Sequence, residues 1–245
     1  NDKHSGVYSS ATLSELILSI DKLDVDDLIF KVDELTLDHL QSKVLISKKS
    51  NSGSSGPPQQ MPVISANNIS IKNSAFTFED LIGKQTIFSN IPELELKNAA
   101  VDLNKSSVSL DELQLAKSNT GINTTDIPKT GTDTTGSASV TENNWTVAAK
   151  KIKLTENRFS YNVQNKPELK KVFDPAHIHY SNISVAAEDL FYSTDKITAN
   201  VNSFTAADST YFVVKEFSTA FTMNKNSITA GKLIVKTNNS SVTAN

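Results

Sequence analysis

Short alternations of apolar and polar residues dominate the chain. Ile69-Ser70-Ile71, Leu94-Glu95-Leu96, Val101-Asp102-Leu103 and Ile152-Lys153-Leu154 are examples. A period of two signals strands with one buried face and one wet face. Sheets wetted on one side are usually antiparallel, because parallel sheets are covered on both faces. Helical spacing is weak, and even between Glu15 and Val32 the strand template fits at least as well.

With Φ for a large apolar residue, the spacing Φ-x-Φ-x4-Φ-x-Φ occurs six times. The copies are Leu16, Leu18, Leu23, Val25, then Leu28, Phe30, Leu35, Leu37, then Ile69, Ile71, Phe76, Phe78. Leu94, Leu96, Val101, Leu103 follow, then Ile152, Leu154, Phe159, Tyr161 and Ile183, Val185, Leu190, Tyr192. Parity switches inside each copy, so a straight strand would turn its second apolar pair to the wrong face. A hairpin resolves this. A two-residue turn at Asn73-Ser74 sets Ile71 opposite Phe76 and Ile69 opposite Phe78, with all four side chains on one face. Asn98-Ala99 and Glu156-Asn157 are the corresponding turn dipeptides, and Asn tolerates the positive φ that such turns require. A β-bulge would also switch parity. The expectation is a repeated amphipathic hairpin. A longer repeat, at an offset of about 83 residues, aligns Asn68–Phe78 with Lys151–Tyr161.

Composition limits how such a sheet packs. The 245 residues are 38% hydrophobic and 7% aromatic, thin for a closed core. One curved sheet with a single apolar face suits them better, running as one continuous unit over residues 1–245. Two stretches, 47–62 and 118–143, are rich in Ser, Thr, Gly, Asn and Pro and read as mobile loops. A net charge of −3 without a basic patch argues against nucleic acid as a partner. The absence of Cys excludes disulfides, Cys-based metal sites and Cys nucleophiles. No stretch approaches the roughly 18 apolar residues of a membrane helix. The first residue is Asn rather than Met, so a processed form or an excised piece is expected.

Catalytic chemistry finds no foothold. His177 and His179 share one strand face, expected to be the wet one, and no third metal ligand is suggested. His4 and His39 are isolated. Asp26-Asp27, Glu79-Asp80 and Glu188-Asp189 fall at strand ends or turns rather than across a cleft. No nucleophile elbow, phosphate loop or dinucleotide fingerprint occurs. Trp145 reads as a packing residue at a loop edge. Asp133-Thr134-Thr135 and Asp208-Ser209-Thr210 match a short O-glycosylation acceptor pattern. The expectation is a chain with no enzyme activity, no metal and no cofactor.

The region from Phe173 to Val242 resembles the AsmA-like and TamB proteins of Bacteroidota. Phe173-Asp174-Pro175, Asn182-Ile183-Ser184-Val185, Leu190-Phe191-Tyr192 and the closing Leu233–Ser240 carry the likeness, together with the Ile-x-Ile-x-Asn-x-x-Φ-x-Φ runs at Ile69–Phe78 and Ile152–Tyr161. The family's N-terminal membrane anchor and C-terminal barrel-partner region are not recognisable, and its members are longer, which fits a fragment. The resemblance implies an antiparallel sheet of repeated hairpins rolled into an open apolar groove that conducts phospholipid between inner and outer membranes. The candidate lining is Leu16, Leu18, Leu28 and Phe30 with all four residues of each later copy. It further implies a periplasmic, Gram-negative envelope setting, an inner-membrane anchor outside this segment, and contact with an outer-membrane β-barrel assembly protein through other parts. A scaffold for outer-membrane protein insertion and an adhesin-like surface protein are the alternatives.

Overall fold

A computed structural model describes residues 6–48, 61–126, 145–170, 172–209 and 212–245. All regular structure among them is strand. The order is β1 (Val7–Thr12), β2 (Glu15–Asp24), β3 (Ile29–Asp38), β4 (Gln41–Ile46), β5 (Val63–Asp80), β6 (Gln85–Asp102) and β7 (Ser107–Ala116). Then come β8 (Asn119–Thr124), β9 (Thr146–Val163), β10 (His177–Tyr192), β11 (Lys196–Asp208), β12 (Val213–Asn224), β13 (Ile228–Thr237) and β14 (Ser241–Ala244). All fourteen belong to one sheet.

The all-β class is as expected, but the sheet is mixed rather than antiparallel. β3 and β4 run parallel to β5, and β7 and β8 run parallel to β9. The cause lies in tracks of 18 residues, the length of β5, β6 and β9. β3 and β4 share one track beside β5 at a constant offset, pairing Leu37 with Ile71 and Gln41 with Ala75. β7 and β8 share a track beside β9 in the same way, and β1 and β2 share one beside β4 and β3. Parallel neighbours need a crossover of a dozen residues or more. The two Ser/Thr/Gly-rich stretches supply that length. The second stretch is not loop throughout, because Asn119–Thr124 is strand β8, paired on both sides. Residues 49–60 and 127–143 of these stretches, with His4 and Thr134, lie outside the described residues.

The expected two-residue hairpins at Asn73-Ser74, Asn98-Ala99 and Glu156-Asn157 are not present. Each dipeptide sits inside an 18-residue strand, with one residue in the left-handed region: φ is 48° at Asn73, 49° at Asn98 and 53° at Glu156. Such a residue adds one position without advancing the alternation, so the parity switch is real but the chain continues. Backbone directions show it. Val63 and Ala75 donate their N–H toward the β3–β4 track and Lys72 accepts from it, although 63 and 75 are odd and 72 is even. Residues of one strand whose backbone groups point to the same neighbour carry side chains on the same face. On β9, Thr146, Thr155 and Arg158 repeat the pattern toward β7 and β8.

These insertions line up across strands as two creases. The first passes through His39, Asn73, Lys117, Glu156 and Asn182, all with positive φ, and crosses β6 at Pro92. The second passes Asn67, Asn98, Asp111, Lys150 and Asp189. A left-handed non-Gly residue costs roughly 1–2 kcal/mol. Side-chain hydrogen bonds beside the creases offset this. Asn73 Nδ2 donates to Asp38 Oδ1 at 3.0 Å, and Asn98 Nδ2 donates to Asp111 Oδ2 at 2.9 Å. Asn200 Nδ2 donates to Asp189 Oδ2 at 3.1 Å.

The true hairpin turns lie at strand ends, and an aspartate opens three of them. Asp24, Asp80 and Asp102 each accept backbone N–H bonds from residues two or three positions on. The residue four positions after each aspartate (Leu28, Lys84 and Ser106) is left-handed.

No closed core forms among the described residues. The buried apolar residues are Ala66, Ala149, Ala187, Ala206 and Val163, and no large side chain is fully buried. Gly121 marks one place of close packing. It lies between Phe88 on β6 and Ser160 on β9, and an added Cβ would run into the Phe88 ring and sit 2.6 Å from Ser160 Oγ. Gly121→Ala is expected to cost about 1–3 kcal/mol in urea denaturation, and adding Phe88→Ala should make the second change cheaper than it is alone. Strict additivity of the two would contradict this packing.

Candidate functional site

Residues directly opposite across strands share a face. The register can therefore be followed from strand to strand. One file runs Leu16, Leu37, Ile71, Leu94, Leu115, Leu154, Val185, Phe204, Phe217, Val235, Val242. It crosses every position of the sheet from β2 to β14 and contains no polar residue. Phe204 and Phe217 meet edge to face, with ring centroids 6.0 Å apart. The neighbouring file runs Leu18, Leu35, Ile69, Leu96, Leu113, Ile152, Ala187, Val201. Beyond the second crease, a third runs Leu23, Phe30, Ile64, Val101, Val108, Val147, Tyr192, Ile197, Met223, Ile228. Beyond the first crease, a fourth runs Val44, Phe78, Ile87, Ile122, Tyr161, Ile178.

Because each crease shifts the alternation by one, the four files fall on the same face of the sheet. The opposite face is mainly polar, with Phe88, Leu45 and Val63 among its apolar exceptions. Lys97 Nζ meets Glu112 Oε2 at 2.8 Å there, and Lys43 Nζ meets Glu79 Oε1 at 2.9 Å. Glu112 is held below its ordinary pKa, chiefly by the Lys97 hydrogen bond.

Most of the expected lining residues enter these files. Phe76 and Phe159 occupy a row that also contains Ser89 and Thr120. Leu190 stands opposite Ala149, and Ile183 opposite Asn157. Leu28 and Leu103 belong to turns rather than strands. Sequence reasoning missed Val108, Leu113 and Leu115 on β7 and nearly all of β11 to β13. The alternation Leu113-Gln114-Leu115 was a usable signal for the first of these.

Potentially chemical side chains are engaged in structure. His177 lies with His179 on the polar face, opposite Asn162, but it is covered there rather than wet. Its side chain is almost fully buried, and Nδ1 lies 2.8 Å from Asp174 Oδ2. Asp174 also accepts the backbone N–H of Leu169 at 2.7 Å and of Ala176 at 3.0 Å. His179 is exposed and opposite Ser160. Asp80 caps a turn, Glu79 pairs with Lys43, and Asp189 holds Asn200. No group of three or more potential metal ligands occurs among the described residues. Trp145 is half-buried just before β9.

The Leu169 N–H, and then His177, hold the Asp174 carboxyl below the ordinary aspartate range. A depressed folded-state pKa contributes stability above the unfolded pKa, and that contribution is lost as pH falls through the folded value. Asp174→Asn is therefore expected to lower Tm by several degrees at neutral pH, with the gap to wild type narrowing below about pH 4. A gap unchanged with pH would contradict the clamp.

No helix among the described residues is long and apolar enough to cross a membrane. No family model, curated protein or solved structure matches the chain.

Proposed function

We propose that this chain is a non-catalytic segment of a TamB/AsmA-like envelope protein, and that its apolar face shields phospholipid acyl chains and lets them pass between inner and outer membranes. The observation that carries the reading is the unbroken apolar file across all eleven strand positions, flanked by parallel files and uncovered by any second layer among the described residues. At ~4.8 Å per strand, the file is roughly 48 Å long. Soluble monomers rarely tolerate contiguous apolar areas of this extent, and acyl chains laid along the files would remove them from water. The proposed setting is the periplasm of a Gram-negative cell, with an anchor and a barrel partner outside this segment.

Photo-crosslinking residues at Ile71, Phe76, Ile152 and Phe159 are expected to capture phospholipid, while Ser70 and Lys153 on the polar face do not. Absence of lipid at every site, in cells and in the purified protein, would overturn the reading. One observation favours a second reading, a scaffold for inserting client strands. β2 pairs with β3 alone, so its other edge is open among the described residues. Crosslinks from Ile17 to an outer-membrane protein, without lipid at Ile71, would select it.

A further inference from the structure

The sheet repeats as well as the sequence. β1 to β4 return as β6 to β8 in matching register, at an offset of about 78 residues. Glu15-Leu16 and Leu18 correspond to Glu93-Leu94 and Leu96, and Asp33-Glu34-Leu35 to Asp111-Glu112-Leu113. The left-handed Leu28 and His39 correspond to Ser106 and Lys117. β6 is paired on both sides, with β5 antiparallel along its outer side. The β1–β2 track holds the same place in the first unit, yet its outer side is unpaired among the described residues.

That edge lacks the usual guards, which are shortness, charge or proline. At the other edge of the sheet β14 has only the residues Ser241–Ala244. β2 is longer, and its Leu16, Ile17, Leu18, Ile20 and Leu23 are all exposed. Ile17 breaks the chemistry of its row, which continues on the polar face as Thr36, Ser70, Glu95, Gln114 and Lys153. Asp38 accepts the Ser14 N–H, so its backbone turns toward β2. By alternation Thr36 and its partner Ile17 bond to each other, and Leu16 and Leu18 turn their N–H and C=O groups outward.

We propose that this edge pairs with the same edge of a second copy, antiparallel about a two-fold axis at Ile17. The register is self-complementary. Leu16 stands opposite Leu18 of the other copy, and the two exchange the outward hydrogen bonds. Leu23 stands opposite Ala11, which lies in the row of Phe76 on the apolar face. The break between β1 and β2, at Leu13 and Ser14, meets the register slip of the other copy around Ile20. Each crease therefore runs into a crease, and the apolar face continues from copy to copy. Glu15 meets Ser19, Lys22 meets Thr12 and Asp24 meets Ser10, so no like charges stand directly opposite. The two Ile17 side chains form a non-hydrogen-bonded pair, the closer kind. The overlap from Ser10 to Asp24 gives a seam roughly 50 Å long and ~10 Å tall. It buries on the order of 1,000 Å² in total, the lower bound for a specific interface. A two-fold contact of this kind closes, so the assembly stops at a dimer. The inference stands apart from the lipid reading.

The test uses the absence of native cysteine. Ile17→Cys, oxidised with copper phenanthroline in air, is expected to give disulfide-linked dimers, because a Cα separation of ~4.5 Å suits the bond. Glu15→Cys and Ser19→Cys are expected to stay unlinked alone and to link when mixed. Thr243→Cys on β14 is expected to stay unlinked. Sedimentation velocity is expected to show a reversible dimer, weakened about ten-fold or more by Ile17→Lys, which sets two like charges face to face. The exposed position keeps the strand signal in circular dichroism. A monomer at every concentration up to about 1 mM would overturn the dimer. So would equal linking at positions 15, 17 and 19 alone, linking through position 243, or a photo-crosslinker at Ile17 that captures a different protein in place of a second copy. Lipid crosslinks at Ile71 bear on the lipid reading alone.

Discussion

Leu94→Asp is expected to lower the affinity for a phospholipid probe about a hundred-fold or more, with the sheet retained. Leu94 lies mid-file between Ile71 and Leu115, and its other file neighbours are Leu37 and Leu154. In the free protein this face is open to water, so an aspartate there stays hydrated and costs the fold little. A bound acyl chain would strip that water, and desolvating an unpaired carboxylate carries a penalty of several kcal/mol. Each ~1.4 kcal/mol is tenfold in affinity. Lys153→Asp on β9 changes charge on the polar face and should leave binding near wild type. Titration of a fluorescent phospholipid against both variants decides the matter. Equal loss in both, or in neither, would remove the apolar file from the binding surface.

The apolar files were legible because they are a direct consequence of alternation, and alternation survives in the sequence. The spacing Φ-x-Φ-x4-Φ-x-Φ correctly marked where parity switches. It did not reveal how. A two-residue hairpin and a single left-handed residue both restore the face, and Asn73-Ser74 suits either one. What separates them is non-local. Asn73 lies beside His39, also left-handed, on the neighbouring track, and no local propensity reports a crease shared by many strands. Lys117 and Glu156 show this most clearly. Neither residue favours positive φ, yet both are left-handed in the same crease. The parallel pairings were hidden for the same reason. A register offset between tracks emerges only once one track is laid beside the next. Alternation gave the face of His177 correctly but not its burial, because its partner, Asp174, reaches it from the loop before the strand, where alternation carries no information.

The creases also set where the fold is most vulnerable, and Asn157 is that place. It follows the left-handed Glu156 and is 4% exposed. Its Oδ1 accepts both the backbone N–H and the hydroxyl of Ser118, at 2.8 and 2.7 Å, and its Nδ2 donates to the Leu115 carbonyl at 3.0 Å. One side chain thus bridges the break between β7 and β8 and stitches both to β9. Ser118 is equally buried, so truncation of Asn157 leaves polar groups with neither partner nor water. Each such orphan costs roughly 1–3 kcal/mol. Asn157→Ala is accordingly expected to destabilise the protein by about 2–3 kcal/mol in urea denaturation. Asn200→Ala removes a single exposed bond to Asp189 beside the second crease and should fall within about 0.5 kcal/mol of wild type. Asn157→Asp keeps the acceptor but loses the donor to Leu115, so it should lie below wild type as well. Equal effects at positions 157 and 200 would mean that the creases are held by the backbone rows alone. A large loss confined to position 157 would locate the sheet's integrity at the buried amide between tracks.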